Sequence, residues 1–196
     1  MATPHFYPNY DFPEGFFARR NQAEKLIREA MAKEPGLPEV IVGAEVYFFR
    51  GMSQSDLIPE LTIGGKGGIL IEMPPAPWSE DIDRELENIW VKWGITPIVA
   101  HIDRYIRPFR TYGIPKRLSR LPVLVQANAD FFLEKATAGM ALRMLKAEQI
   151  QLLGSDCHNL TSRRPNLGPA LMRIRQKLGD GIVEDVNALA SEVLGV

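Results

Sequence analysis

The sequence predicts a parallel, barrel-like α/β fold in one domain, with a single polar mouth. Three observations lead there. Short β-branched apolar runs alternate with helical patterns, most of those runs close on a polar residue, and the closing residues recur at a near-constant interval. Glu45 to Glu72 is 27 residues, Glu72 to His101 is 29, His101 to Asn128 is 27 and Asn128 to Asp156 is 28. One strand plus one crossover helix takes about that length, and successive βα units bring every strand's C-terminal end to one face. A chain of 196 residues is also long enough for one sizeable core.

Taken in order, Thr3–Pro13 is aromatic and carries three prolines that block a helix, so it reads as a loop able to cover a site. A helix follows over Glu14–Lys33, with Phe17, Ala23, Leu26, Ile27, Ala30 and Met31 near helical spacing; Pro35-Gly36 and Pro38 end it. Val40–Tyr47 is a buried strand by its β-branched run. Gly64-Gly65-Lys66-Gly67-Gly68 precedes the strand Ile69–Glu72. A phosphate cradle needs its glycines between strand and helix, so this run reads as a plain turn. Ser79–Trp93 is a helix with Ser79 as N-cap and acidic residues in its first turn. Ile95–His101 and Pro122–Asn128 are further strands, with Pro97 marking the entry to the first of them. A helix over Asp130–Ala147 leads to the last strand, which enters Leu152-Leu153-Gly154-Ser155-Asp156-Cys157-His158-Asn159. Helices near Gly168–Leu178 and Gly181–Leu194 close the chain.

The same count leaves a shortfall. Six strand ends are visible, and the first, at Met1-Ala2-Thr3, is a stub. A full barrel of this type has seven or eight units. The expectation is that the native protein begins earlier or that the barrel is incomplete.

Composition narrows the function classes. With 23 basic against 24 acidic side chains, nothing suggests nucleic-acid binding or a polybasic membrane patch. No apolar run approaches the ~20 residues of a membrane span, and Met1–Phe6 has no signal-peptide pattern. The lone Cys157 excludes an intramolecular disulfide and fits a reducing cytoplasm.

The side chains expected at the polar mouth are His5, Glu45, Glu72, His101, Asp156 and His158. Asp156 and His158 stand two apart, so in extended backbone both point one way. Imidazole with carboxylate suits Zn, Mn or Fe, and carboxylates can bridge two ions. The plain alternative is a buried hydrogen-bonded network, but glutamates closing apolar strands call for a cation or strong hydrogen bonds. Arg104, three residues after His101, and Arg163-Arg164 after His158 add guanidinium forks that match phosphate oxygens. Metal and arginine beside a cleft point to phosphate-ester hydrolysis. A metal-bound hydroxide would attack phosphorus while arginine holds the developing charge.

Ala2-Thr3-Pro4-His5, Gly43-Ala44-Glu45, Leu70-Ile71-Glu72, Ala100-His101-Ile102-Asp103-Arg104-Tyr105, Gln126-Ala127-Asn128 and Ser155-Asp156-Cys157-His158-Asn159 come in an order that resembles the polymerase and histidinol phosphatase (PHP) superfamily. Within it they look most like the metal-dependent bacterial tyrosine phosphatases of capsule and exopolysaccharide gene clusters. The resemblance runs from residue 2 to about residue 170. It implies a PHP-type distorted (β/α)7 barrel, here lacking its first βα unit, and a cytoplasmic phosphatase using Mn2+ or a similar multinuclear cluster (Fe, Zn or Mg). The substrate would be the phosphotyrosine tail of a partner tyrosine kinase. By the same resemblance His5, Glu45, Glu72, His101, Asp156 and His158 are metal ligands, and Arg104 and Arg163 hold the phosphate. The family's opening H-x-H strand has no counterpart here, which matches the counted shortfall and implies a truncated reading frame with weak activity. The usual H-P-E-R-Y is His101-Ile102-Asp103-Arg104-Tyr105, and Arg163-Arg164-Pro165 stands for R-P-P.

Three rival readings carry their own discriminators. Cys157 to Arg163 has the C-x5-R spacing of cysteine-dependent phosphatases, but without a glycine to curl the loop around a phosphate. An incomplete barrel could bind the kinase tail without turnover, which metal analysis would reveal. A small monoester such as histidinol phosphate could replace the peptide, although the aromatics at Phe6–Phe12 and Phe16-Phe17 favour a phenyl ring.

Overall fold

Six strands, β1 (His5–Phe6), β2 (Glu45–Tyr47), β3 (Gly68–Glu72), β4 (Thr96–Val99), β5 (Leu124–Asn128) and β6 (Leu152–Gly154), pair in sequence order as one parallel sheet. The structure is a computed structural model describing residues 1–65 and 67–195. Lys66, in the expected glycine-lysine turn, lies outside the described residues. Pairing each strand only with its sequence neighbours curls the sheet into a half-barrel, with β1 and β6 at its two ends. The helices are α1 (Pro13–Met31), α2 (Glu80–Trp93), α3 (Ile114–Leu118), α4 (Ala129–Leu133), α5 (Ala138–Lys146), α6 (Leu167–Leu178) and α7 (Asp180–Leu194).

The pleat sorts the sheet into two faces. Ile69, Ile71, Val99, Val125 and Ala127 join Leu86 and Ile89 of α2, Phe132 of α4 and Ile174 of α6 in the main core. The alternate residues Leu70, Ile98 and Leu152 form a second cluster with Ile63 and Ala100, covered by Leu189 and Val193 of α7. Period-two alternation continues this second face toward the strand ends. There the register sets His5 against Glu45, Glu45 against Leu70, and Asn128 against Gly154. The inner face is therefore apolar at its floor and polar at its mouth. Among the described residues no helix is long and apolar enough to cross a membrane.

Several expectations change. The first strand is His5–Phe6, inside the stretch read as loop, while Ala2 of the expected stub makes only an isolated bridge to Val42. Phe6 anchors it by packing edge-on against Phe16 at 5.0 Å. The expected strand over Val40–Tyr47 narrows to Glu45–Tyr47; at Gly43 a Cβ would meet Ile63 Cα at 3.0 Å, so close backbone packing takes over from the ladder. The helix over Asp130–Ala147 is two, α4 and α5, because Glu134 turns extended and the Thr137 hydroxyl takes the Phe131 carbonyl that a continuous helix would use. Ser79 precedes α2 in extended conformation without a side-chain cap bond. In α1 only Phe16 is buried, and Leu26 and Ile27 are exposed, so its apolar stripe is largely uncovered. The short α3 and four 3-10 turns have no counterpart in the sequence reading.

Candidate metal centre

The mouth of the half-barrel is built from His5 and Glu45, the first residues of the short strands β1 and β2, and from residues at or just after the C-terminal ends of β3 to β6. His5 on β1, Glu45 on β2 and Glu72 at the end of β3 offer ligand atoms that all lie within 4.8 Å of one another. His5 Nδ1 stands 3.7 Å from Glu45 Oε1 and 3.9 Å from Glu72 Oε2. It is buried and has no hydrogen-bond partner among the described residues. An orphaned imidazole nitrogen facing two carboxylates is a costly arrangement unless a cation joins them. One imidazole and two carboxylates suit Zn, Mn or Fe, so the residues present fit a metal ion.

His101 completes this group from the end of β4. It is fully buried, with Nε2 2.8 Å from Glu45 Oε1 and 3.9 Å from Glu72 Oε1. Its backbone is left-handed, φ 33°, and the preceding strand hands it to a 3-10 turn over Ile102–Arg104. Strain of this kind persists where the surroundings over-determine it. Three contacts do so here. The His101 N–H donates to Gln126 Oε1 at 2.5 Å, the ring holds Glu45, and the Tyr105 hydroxyl stands 3.4 Å from Nδ1. The Met73 N–H donates to that same hydroxyl at 2.9 Å. Burial, together with Glu72 and Glu45, pushes the Tyr105 phenol far above its ordinary value, so it stays protonated.

Asp156 belongs to a neighbouring cluster. Arg104 bridges the two, donating to Glu72 Oε1 at 3.0 Å and to Asp156 Oδ2 at 2.6 Å. Arg163 also meets Asp156 Oδ2, at 2.5 Å, and the Asn128 amide donates to it at 3.3 Å. Burial alone would lower the Arg104 pKa, but Asp156, Glu72 and Glu45 outweigh it and raise it. His158 is exposed; its Nδ1 lies 2.9 Å from the Asp156 carbonyl, and its ring centroid is 5.8 Å from that of His5. The structure thus gathers His5, Glu45, Glu72 and His101 around shared carboxylates, and ties Asp156 to them through Arg104. Arg164 and the Cys157 thiol are exposed.

Four supporting residues stand in the motifs quoted above, but the sequence assigned them no role. Asp103 Oδ1 accepts the Asn128 N–H at 2.8 Å, fixing the start of α4, and Tyr105 positions His101 as described. Gln126 bonds the Ala127 carbonyl and the Asn128 side chain as well as His101. Asn159 Oδ1 accepts from the Thr161 and Arg163 N–H groups, folding the loop that presents Arg163. Beyond their place in those motifs, alternation gives a signal for Gln126, which shares the inner face with Asn128.

Two cavities open on the cluster. One of about 970 Å³ reaches from α1 across the inner face and touches His5, Glu45, His101, Asp156 and His158. The other, about 460 Å³, has Glu72 and Arg104 among its lining residues, with Tyr47, Tyr105 and Tyr112 as aromatic walls. From the expected covering loop, Tyr7 stacks on His5 at 5.4 Å and tilts against Tyr47 at 5.9 Å.

Residues 1–194 match the family model described as capsular polysaccharide synthesis, CpsB/CapC. The tyrosine-protein phosphatase CpsB of Streptococcus pneumoniae is 31% identical over 163 residues, covering 78% of this chain and 66% of the relative. The protein of the same name from Streptococcus agalactiae is 27% identical over 150 residues, covering 72% and 61%. The chain therefore spans 61–66% of the length of these curated relatives. In fold, it superposes with a TM-score of 0.79 on a chain from the crystal structures of YwqE from Bacillus subtilis and CpsB from Streptococcus pneumoniae, described as metal-dependent tyrosine phosphatases; the match is 21% identical and covers 90% of this chain and 73% of that one. With the family model matched over nearly its whole length, the chain belongs to the CpsB/CapC family of capsular polysaccharide synthesis.

Proposed function

We propose that the chain is a metal-dependent phosphotyrosine phosphatase acting in the cytoplasm on the tyrosine-rich tail of a polysaccharide-biosynthesis tyrosine kinase. One observation carries this reading. Arg104 lines the tyrosine-walled cleft and at the same time bonds Glu72 of the candidate metal cluster and the neighbouring Asp156. A phenyl ring between Tyr47, Tyr105 and Tyr112 would stack well and bring its phosphate to that guanidinium. The half-barrel then corresponds to part of a PHP-type (β/α)7 barrel folded as a single domain.

His5, Glu45, Glu72 and His101 would hold the cation, with Asp156 and His158 supplying further ligands; Mn2+ is the metal we propose. A bound ion of this kind supplies Lewis acidity toward the phosphate and activates water. The remaining work falls to the chain's own groups. Arg104 and Arg163 would exchange their bonds to Asp156 for the phosphate oxygens and hold charge as it develops. Glu45 and Tyr105 keep the His101 ring oriented.

Turnover of a phosphotyrosine peptide by the purified chain tests the proposal. EDTA is expected to abolish it, Mn2+ to restore it, and iodoacetamide to leave it intact. Loss of activity on alkylation alone would transfer the chemistry to Cys157. Histidinol phosphate turned over well above the peptide would overturn the substrate.

A further inference from the structure

We infer that the Arg107–Arg110 hairpin is a docking site for acidic side chains flanking the phosphotyrosine, so that the chain selects acidic peptides. The inference rests on the phosphotyrosine reading of the cleft. Arg107 and Arg110 form an isolated antiparallel bridge, with the Arg107 N–H donating to the Arg110 carbonyl at 3.0 Å and the reverse bond at 2.9 Å. Pro108 and Phe109 make the turn between them. Two cations placed directly opposite across such a pair repel, and the sequence supplies no carboxylate in this turn to offset them. The Arg107 guanidinium is steadied by donating to the Asp103 carbonyl at 2.7 Å, and both arginines are exposed.

Their position gives the charge a purpose. Both line the 460 Å³ cleft that also holds Arg104 and Glu72, so a peptide whose phosphotyrosine enters the cleft passes its neighbouring residues over the hairpin. The backbone is committed to this shape. Phe109 (φ 66°) and Tyr112 (φ 51°) are non-glycine residues in the left-handed region, and both side chains are exposed. An aromatic tip between two guanidinium groups suits an acidic strand with an occasional apolar residue. A carboxylate accepting from both arginines would relieve their repulsion.

The test uses the full chain with Mn2+ and fluorescence anisotropy of two peptides. Both carry a non-hydrolysable phosphonate mimic of phosphotyrosine, one flanked by aspartates and one by alanines. The aspartate peptide is expected to bind roughly five- to tenfold tighter, the worth of about two exposed charge pairs, with the gap narrowing in salt. Arg110→Ala should reduce the preference to about two- to threefold, and the double variant Arg107→Ala/Arg110→Ala should bring the two affinities within about twofold. Equal binding of the two peptides by the unaltered chain overturns the inference, and so does a preference that survives the double substitution. Arg104→Ala should weaken both peptides alike. If it weakens neither, the phosphotyrosine reading itself falls and takes this inference with it, a result distinct from failure of the hairpin variants.

Discussion

Arg104 Nη2 stands 2.6 Å from Asp156 Oδ2, joining the turn after β4 to the loop after β6 across the mouth of the half-barrel. The same guanidinium reaches Glu72, so one cation links carboxylates contributed by strands three apart in the sheet. These are the acids that chemistry at the mouth would need in place, and Arg104 holds them there while lining the cleft.

Arg104→Ala is accordingly expected to cut kcat/KM on a phosphotyrosine peptide by roughly 10²- to 10³-fold, the usual loss for one positioned charge-stabilising donor. Arg104→Lys should recover little, because an ammonium cannot grip two phosphate oxygens at once as the planar fork does. Stability should shift far less. The arginine side chain is 37% exposed, and pairs that open to solvent are worth at most about 1 kcal/mol. Steady-state kinetics beside thermal unfolding of both variants separates the two effects. A large drop in Tm with intact kcat/KM would make Arg104 a structural residue.

Much of this was legible in the chain because the βα unit has a characteristic length. Glu45, Glu72, His101, Asn128 and Asp156 recur at that interval, so their sharing one mouth follows from counting. What counting does not reveal is which neighbours satisfy them. That Arg104 turns inward, or that Tyr105 serves both Met73 and His101, depends on side-chain geometry in three dimensions. The α1 stripe fails for a related reason. Periodicity says that Leu26 and Ile27 share a helix face, but nothing in it says that the face is covered. The split between α4 and α5 was hidden because Thr137 acts through a hydroxyl bond that competes with helix continuation, a local choice that propensity barely registers.

Gly154 is where the sheet tolerates no side chain. A Cβ there would meet Gln126 Nε2 at 2.6 Å and Cδ at 3.4 Å. The Gln126 amide can swing away, but only by surrendering the His101 N–H at its oxygen and the Ala127 carbonyl at its nitrogen. Gly154→Ala should therefore cost about 1–3 kcal/mol, the penalty for leaving such groups unpaired. It should lower metal affinity as well, because His101 loses one of its three restraints. Gln126→Ala alone should cost a similar amount, and the double variant little more than either single one, since both act through the same amide. Urea unfolding of the three variants measures this; strict additivity would mean that the glycine acts elsewhere.

Asp103 gives the fold a pH dependence of predictable sign. Its carboxyl is pushed above the ordinary carboxylate value first by burial, only partly offset by the Asn128 N–H that it accepts. Because its folded pKa exceeds its unfolded one, the native state holds this proton more tightly than the unfolded chain does. The Asp103 contribution to stability therefore rises as pH falls through the raised value toward the unfolded one near 3.8, and is at its least favourable at neutral pH and above. Asp103→Asn keeps an oxygen for the Asn128 N–H and removes the ionisation. The stability difference, variant minus unaltered chain, should thus be most positive near pH 8 and decline steadily toward about pH 4.5. Urea unfolding of both proteins across that range, with EDTA present so that metal-linked proton release does not enter, reads the difference directly. Titrating groups not coupled to Asp103 are common to the two proteins and cancel, so a flat difference would show that Asp103 ionises without penalty, and a rising one on acidification would place its folded pKa below the unfolded value.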